Sequence, residues 1–251
     1  MVWPPASRKR NESGLGTVLG VAGLAVLGLM AVLRLFLQPY WIPSEQMKPA
    51  LLVGDFVMVR YLAAEDVVRG DVIVFRHSVS GRDFIMRAVG LPGDTVQMKD
   101  GRLWLNGSEV PQEANGTFTE VMGPQGPMHI RPRCENGPVG DGGQCRRSRL
   151  TETLPAEGYD GGRKYDVLNI DASSYADNTD LFTVPEGAFF VMGDNRDNSN
   201  DSRFSRGVGG VGMVEADNII GRASFVLFSS AGERIWTPWT WRMDRLLEGV
   251  E

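Results

Sequence analysis

Excess basic charge, histidine and cysteine are what this chain has least of. Lysine and arginine total 26 against 31 aspartates and glutamates, a formal net charge of −5. No basic stripe interleaved with aromatics runs through the sequence, so the positive field that draws a polyanion is missing and nucleic-acid binding is excluded. The only histidines are His77 and His129, in polar surroundings, and the only cysteines are Cys134 and Cys145. No His/Cys cluster can supply the four ligands of a structural zinc. Neither a metal nor an organic cofactor is expected. Long helix-period stretches are scarce after residue 60, whereas glycine (31) and proline (14) are plentiful. The body therefore reads as strand and turn, and a mainly β fold is expected.

The two cysteines flank a polar segment containing Gly137, Pro138, Gly140, Asp141, Gly142 and Gly143. Two readings stand open. One is a disulfide that closes a small loop in an oxidising compartment and limits the unfolded chain by roughly 2–3 kcal/mol. The other is a pair of unrelated free thiols.

Residues Ser13 to Leu33 carry no charge and are mostly Leu, Val, Ala and Gly, which matches the roughly 20 residues needed to cross a bilayer as a helix. Arg8, Lys9 and Arg10 precede the run and, by the positive-inside rule, stay in the cytoplasm. A cleavable signal peptide would have a shorter apolar core and a small-residue exit. Here the run leads instead into Leu35-Phe36-Leu37-Gln38-Pro39-Tyr40-Trp41, which suits an uncleaved single-pass anchor with interfacial aromatics. The expected order is a cytoplasmic tail (1–12), an anchor (13–37), a β core made of 38–105 and 184–251, and a β-rich insertion (106–183) holding both cysteines. The core shows strand-sized runs, Asp55–Tyr61, Val72–Phe75, Gly187–Met192 and Ala223–Phe228, punctuated by turns such as Asp100-Gly101. Trp236, Trp239 and Trp241 in the tail suit either core packing or a membrane interface.

Four segments, in order, resemble the signature boxes of the type I signal peptidase (bacterial leader peptidase) family. They are Ile42–Asp55 (IPSEQMKPALLVGD), Arg69–Phe75 (RGDVIVF), Asp83–Asp94 (DFIMRAVGLPGD) and Gly193–Arg203 (GDNRDNSNDSR). The resemblance covers roughly Gln38 to Leu105 and Gly187 to Ser229. It implies an exported β fold with an apolar surface near the membrane, which binds the small side chains before a signal-peptide cleavage site. Family members cut there with a serine nucleophile activated by a neutral lysine, and a hydroxyl plus a backbone N–H stabilise the oxyanion.

Carried over residue by residue, the resemblance departs at both reacting positions. The nucleophile position is Gln46, and the general-base position is Met86, whose thioether takes no proton at neutral pH. The other matching positions remain. Ser44 corresponds to the oxyanion hydroxyl and Ser199 to the hydroxyl partner of the catalytic lysine. Asp201 and Arg203 correspond to a bracing ion pair, while Asp194, Arg196 and Arg87 support the same turn. Glu45 and Lys48 add charges beside the nucleophile position. Lys48, in a loop next to Pro49, is expected to be solvated and so unable to serve as a base for Ser44.

The sequence thus predicts a catalytically degenerate family member that binds signal peptides, or regulates, in protein export at the bacterial inner membrane. The expected topology places the N-terminus inside and the main domain outside. Two alternatives stand beside it. One is an active peptidase that uses Ser44 as a relocated nucleophile, and the other is a structural membrane protein whose groove has closed.

Overall fold

The computed structural model describes residues 13–171, 173–232 and 237–250. The basic run Arg8–Arg10 and the residues around Trp236 lie outside them. Ser13–Phe36 forms one α-helix, α1, with Arg34 in its last turn. The sequence reading places an anchor over 13–37. The crossing of a membrane does not follow from it, because among the described residues no helix is long and apolar enough to cross one. Several of the side chains of α1 lie outside the described set. Among the described residues, those up to 38 and those from 39 on form two compact units.

The second unit is built of strands, as the turn-rich composition predicts. In chain order they are β1 (Leu37–Trp41), β2 (Asp55–Tyr61), β3 (Val72–Arg76), β4 (Asp83–Gly90), β5 (Thr95–Lys99), β6 (Arg102–Leu105) and β7 (Ser108–Glu109). There follow β8 (Gln112–Val121), β9 (Gln144–Leu154), β10 (Arg163–Asn169), β11 (Phe182–Thr183), β12 (Ala188–Met192), β13 (Val214–Glu215) and β14 (Ile219–Ser229). A seven-stranded sheet runs β1-β2-β14-β3-β4-β12-β13, and smaller sheets run β10-β9-β8 and β11-β5-β6-β7.

Strand character follows from burial. Val72–Phe75 of β3 is apolar at every position and buried at every position, as a strand covered on both faces should be. All of β12 is buried as well. At the β5–β6 turn, Asp100 and Gly101 both adopt positive φ, 49° and 74°, and Lys99 pairs with Arg102 across a two-residue hairpin. That backbone suits the Asp-Gly pair, since glycine carries no penalty in the left-handed region.

Two apolar cores organise the domain. The first gathers Ile42, Met47, Ile73, Phe75, Met86 and Val226 among others. The second joins Val89 and Phe190 of the large sheet to Val96 and Leu103 of β5 and β6, and to Leu154, Tyr165 and Val167 of β9 and β10. Segment 106–183 therefore shares a core with the signature-box strands. Its two cysteines, Cys134 and Cys145, are bonded to each other.

Candidate active site

The first box leaves the sheet at Ile42, and the chain re-enters it at Asp55. Between them runs a compact loop pinned by backbone bonds from Ile42 N–H to the Asp55 carbonyl and from Gly54 N–H to the Ile42 carbonyl, both 2.9 Å. Gln46 sits at the apex of this loop, and its carbonyl accepts the Asn195 N–H at 2.9 Å. The fourth box is thereby fastened to the first. Gly193 makes the approach possible, because a Cβ there would meet the Ser199 hydroxyl at 2.3 Å and the Gln46 carbonyl at 2.6 Å. The Ser199 hydroxyl and the Gln46 backbone thus lie on either side of one point.

Met86 comes from β4, where it pairs with Ile73 of β3, while its neighbour Arg87 pairs with Met192 of β12. The strand register therefore carries it toward Gly193. Its side chain is fully buried in the first core with Ile42 and Met47. The Ser199 hydroxyl is buried too and, among the described residues, has no hydrogen-bond partner. A thioether offers it nothing comparable to an amine.

Beside Gln46 and Ser199 lies a cleft of about 400 Å³, which Met86 does not line; Ser44, Arg133, Tyr175, Asp197 and Asn198 are among its other lining residues. Its lining is polar apart from Ile130 and Tyr175. No lysine or histidine is among its lining residues. His77 contacts Ser80 and Phe84, and His129 is exposed on the turn before Ile130.

The expectation that Lys48 is solvated is corrected, because it is 1% exposed. Its ammonium donates to Glu45 at 2.6 Å, to both Glu120 oxygens at 2.9 and 2.7 Å and to the side-chain Oε1 of Gln125 at 2.8 Å. Glu120 and Gln125 lie 72 and 77 residues away in the chain, and the folding of β8 over the loop is what covers Lys48. Arg147 completes the group by donating to Glu45 and Glu120 at 3.1 and 2.8 Å. Two cations and two carboxylates thus neutralise one another, as buried charges must. Lys48 borders a different cavity from the cleft, together with Leu52, Phe118 and Glu120.

The fourth box is braced by three further buried pairs. Arg87 grips Asp194 with two bonds of 2.8 and 2.7 Å and stacks over the Tyr165 ring. Arg203 grips Asp201 at 2.8 and 2.9 Å, and Asp201 also accepts the Gly193 N–H. Arg196 pairs with Glu152 of β9 through two 2.6 Å bonds. Burial alone would raise the Glu152 carboxyl, but the Arg196 charge and bonds outweigh it and hold it below the ordinary range. Burial, and after it Glu152, push the Tyr165 phenol well above its usual value.

The structure brings Ser44, Gln46 and Ser199 to one cleft and sets Asp194, Asp201, Arg87, Arg196 and Arg203 behind it. Reading the sequence missed Glu120, Gln125, Arg147, Glu152 and Tyr165. All five come from segment 106–183, where scattered charges look like a solvated surface.

The first-box loop and the fourth-box turn meet at one cleft, and Met86 lies buried in the adjoining core. The family model described as signal peptidase, peptidase S26, matches residues 16–228. A signal peptidase I of Pseudomonas aeruginosa is 35% identical over 248 residues, covering 90% of this chain and 77% of that protein. One from Pseudomonas fluorescens is 33% identical, covering 88% and 75%. One from Rickettsia prowazekii is 29% identical, covering 82% and 77%. The chain belongs to the signal peptidase S26 family.

Proposed function

We propose that this family member binds the preprotein segment that signal peptidases process and does not cut it. The observation that carries this reading is the residue pair at the positions where the family's reacting groups stand, Gln46 and Met86, while the amine of Lys48, two residues from Gln46 in the chain, is spent on two carboxylates and an amide. Acyl transfer needs a hydroxyl whose proton a neutral base can take within hydrogen-bond reach. Ser44 lines the cleft, but no lysine or histidine lines it with Ser44. What the cleft offers instead is hydrogen-bonding capacity, from Ser44 and Gln46.

In this reading α1 is a single-pass anchor in the bacterial inner membrane. The N-terminus is cytoplasmic, and the β domain works outside, where the Cys134–Cys145 bond is stable. Its partners are signal peptides of exported preproteins or the export machinery.

The test is cleavage of a model preprotein by the detergent-solubilised chain, alongside Gln46→Ser, Met86→Lys and the double substitution. The expected result is cleavage by the double variant alone. Cleavage by the native chain at a comparable rate would sink the inactive reading and point to Ser44. Absence of cleavage in all four would favour a groove lost to substrate.

A further inference from the structure

We infer that the C-terminal segment 237–250 sets the position of Gln46 by clamping the rear half of the first-box loop, with Arg245 and Arg242 as positioning residues. The front of that loop is held from elsewhere. Glu45 and Lys48 are fixed by Glu120 and Arg147, and the Gln46 carbonyl takes the Asn195 N–H. The rear, 50–55, meets the tail instead.

Asp55 is the centre of this contact. It is fully buried, and Arg245 grips its carboxylate at 2.7 and 3.3 Å. The Ser229 hydroxyl and the Leu52 N–H donate to the same carboxylate, at 2.6 and 2.8 Å. Arg245 also donates to the Ala50 carbonyl at 2.9 Å. Arg242 donates to the Val53 carbonyl at 3.1 Å and to the Ser229 hydroxyl at 2.9 Å. Two arginines that lie 189 to 195 residues further along the chain thus reach three positions of one loop.

The tail has a firm base from which to do this. The Leu247 N–H donates to the Val226 carbonyl and the Val226 N–H to the Glu248 carbonyl, both at 2.8 Å, which fastens the tail to β14 of the large sheet. Its burial is inverted. Trp241 meets Phe228 edge-on and Val250 reaches the first core, but Trp239, Met243, Leu246 and Leu247 are all exposed while Arg245 is 8% exposed. A segment that turns its charge inward and leaves most of its large apolar side chains outside is not held there chiefly by apolar burial. The partner of that charge explains the inversion, since without Arg245 the Asp55 carboxylate would be stranded in the interior. Leu51 and Val53, buried between the clamped positions, keep the loop against the core. Loss of the clamp therefore shifts the rear of the loop and leaves the domain folded.

The test is amide hydrogen exchange of the full chain in detergent, read residue by residue for the native protein, Arg245→Gln and Arg242→Gln. In Arg245→Gln the Gly54 amide, bonded to the Ile42 carbonyl, should exchange at least about tenfold faster, because the buried pair has lost one partner and only Ser229 and Leu52 remain on Asp55. The Asn195 amide reports the apex through its bond to Gln46 and should follow by about threefold. Amides of the β9–β10 pairing should stay within about twofold. Arg242 approaches Asp55 only to 3.6 Å, so Arg242→Gln should speed Gly54 by about threefold.

An unchanged Gly54 amide in Arg245→Gln would overturn the clamp. Faster exchange at Gly54 with none at Asn195 would overturn the positioning of Gln46. Equal acceleration of every amide would mark a general loss of stability and overturn the local device as well. Arg242→Gln keeps the Arg245–Asp55 pair, so it decides if Arg245→Gln does not fold, and an unchanged Gly54 there would then overturn the clamp.

Discussion

The loop apex with its β4 partner and the bracing turn of the fourth box lie side by side, yet only the first pair departs from the family pattern. Position 46 is glutamine and position 86 methionine, while Asp194, Arg196, Ser199, Asp201 and Arg203 are all present. The difference follows from what each residue does for the fold. Arg87, Asp194, Asp201 and Arg203 are buried halves of ion pairs, and loss of one half leaves an uncompensated charge in the interior. A buried amine at position 86 would need solvation or a partner. Methionine there packs into the apolar core. An apolar side chain at position 86 therefore costs the core little, whereas the loss of one half of a brace costs it much.

That contrast can be broken by three measurements of folding stability. The largest effect is expected for Arg87→Ala, which strands Asp194 inside the protein and should cost about 3–5 kcal/mol. Gln46→Ala, at the half-buried apex, should by contrast stay within about 0.5 kcal/mol. Denaturant unfolding of both variants decides, and similar losses would end the distinction between brace and apex.

Next comes Met86→Lys, which puts an amine where the thioether is fully buried. It should lower stability at neutral pH by about 1–3 kcal/mol, because desolvation disfavours the charged amine. Adding Ser199→Ala should deepen that loss by about 1 kcal/mol if the hydroxyl receives the amine, as the value of a hydrogen bond suggests. A simple sum of the two single effects would place Ser199 out of reach of position 86.

The smallest effect concerns pH. The Glu152 carboxyl is held below its ordinary range by Arg196, so its contribution to stability is present above the unfolded-state carboxylate pKa. It is lost as pH falls through the lower, folded value. Glu152→Gln should accordingly flatten the acid limb of the stability–pH curve, and an unchanged limb would remove this pair from the account of acid unfolding.

Much of the fold could be read from residue order. The all-apolar run Val72–Phe75 became a strand buried on both faces, and Asp100-Gly101 became a hairpin turn, because each is a local property of the chain. The positions of Gln46 and Met86 were readable through the boxes that contain them. The burial of Lys48 was not. A lysine beside a proline in a loop looks solvated until a strand more than seventy residues later brings Glu120 over it. Arg147 escaped notice for the same reason, since its neighbours Arg146 and Arg149 are also charged and only the fold decides which of them turns inward. The membrane crossing read from the apolar run Ser13–Leu33 is a property of composition, and it stays a proposal.

By itself, the sequence determined that the body is made of strands, that its boxes fall in the family order, and that positions 46 and 86 within them hold an amide and a thioether. These follow from side-chain identity and short-range backbone preference. The tertiary structure decided that Cys134 meets Cys145, that Lys48 is spent in a buried quartet, and that Arg131 and Arg133 face the Gln46 cleft. Those are meetings between distant parts of the chain. Their energies depend on the desolvation and pairing that packing creates, and neither exists until the chain has folded.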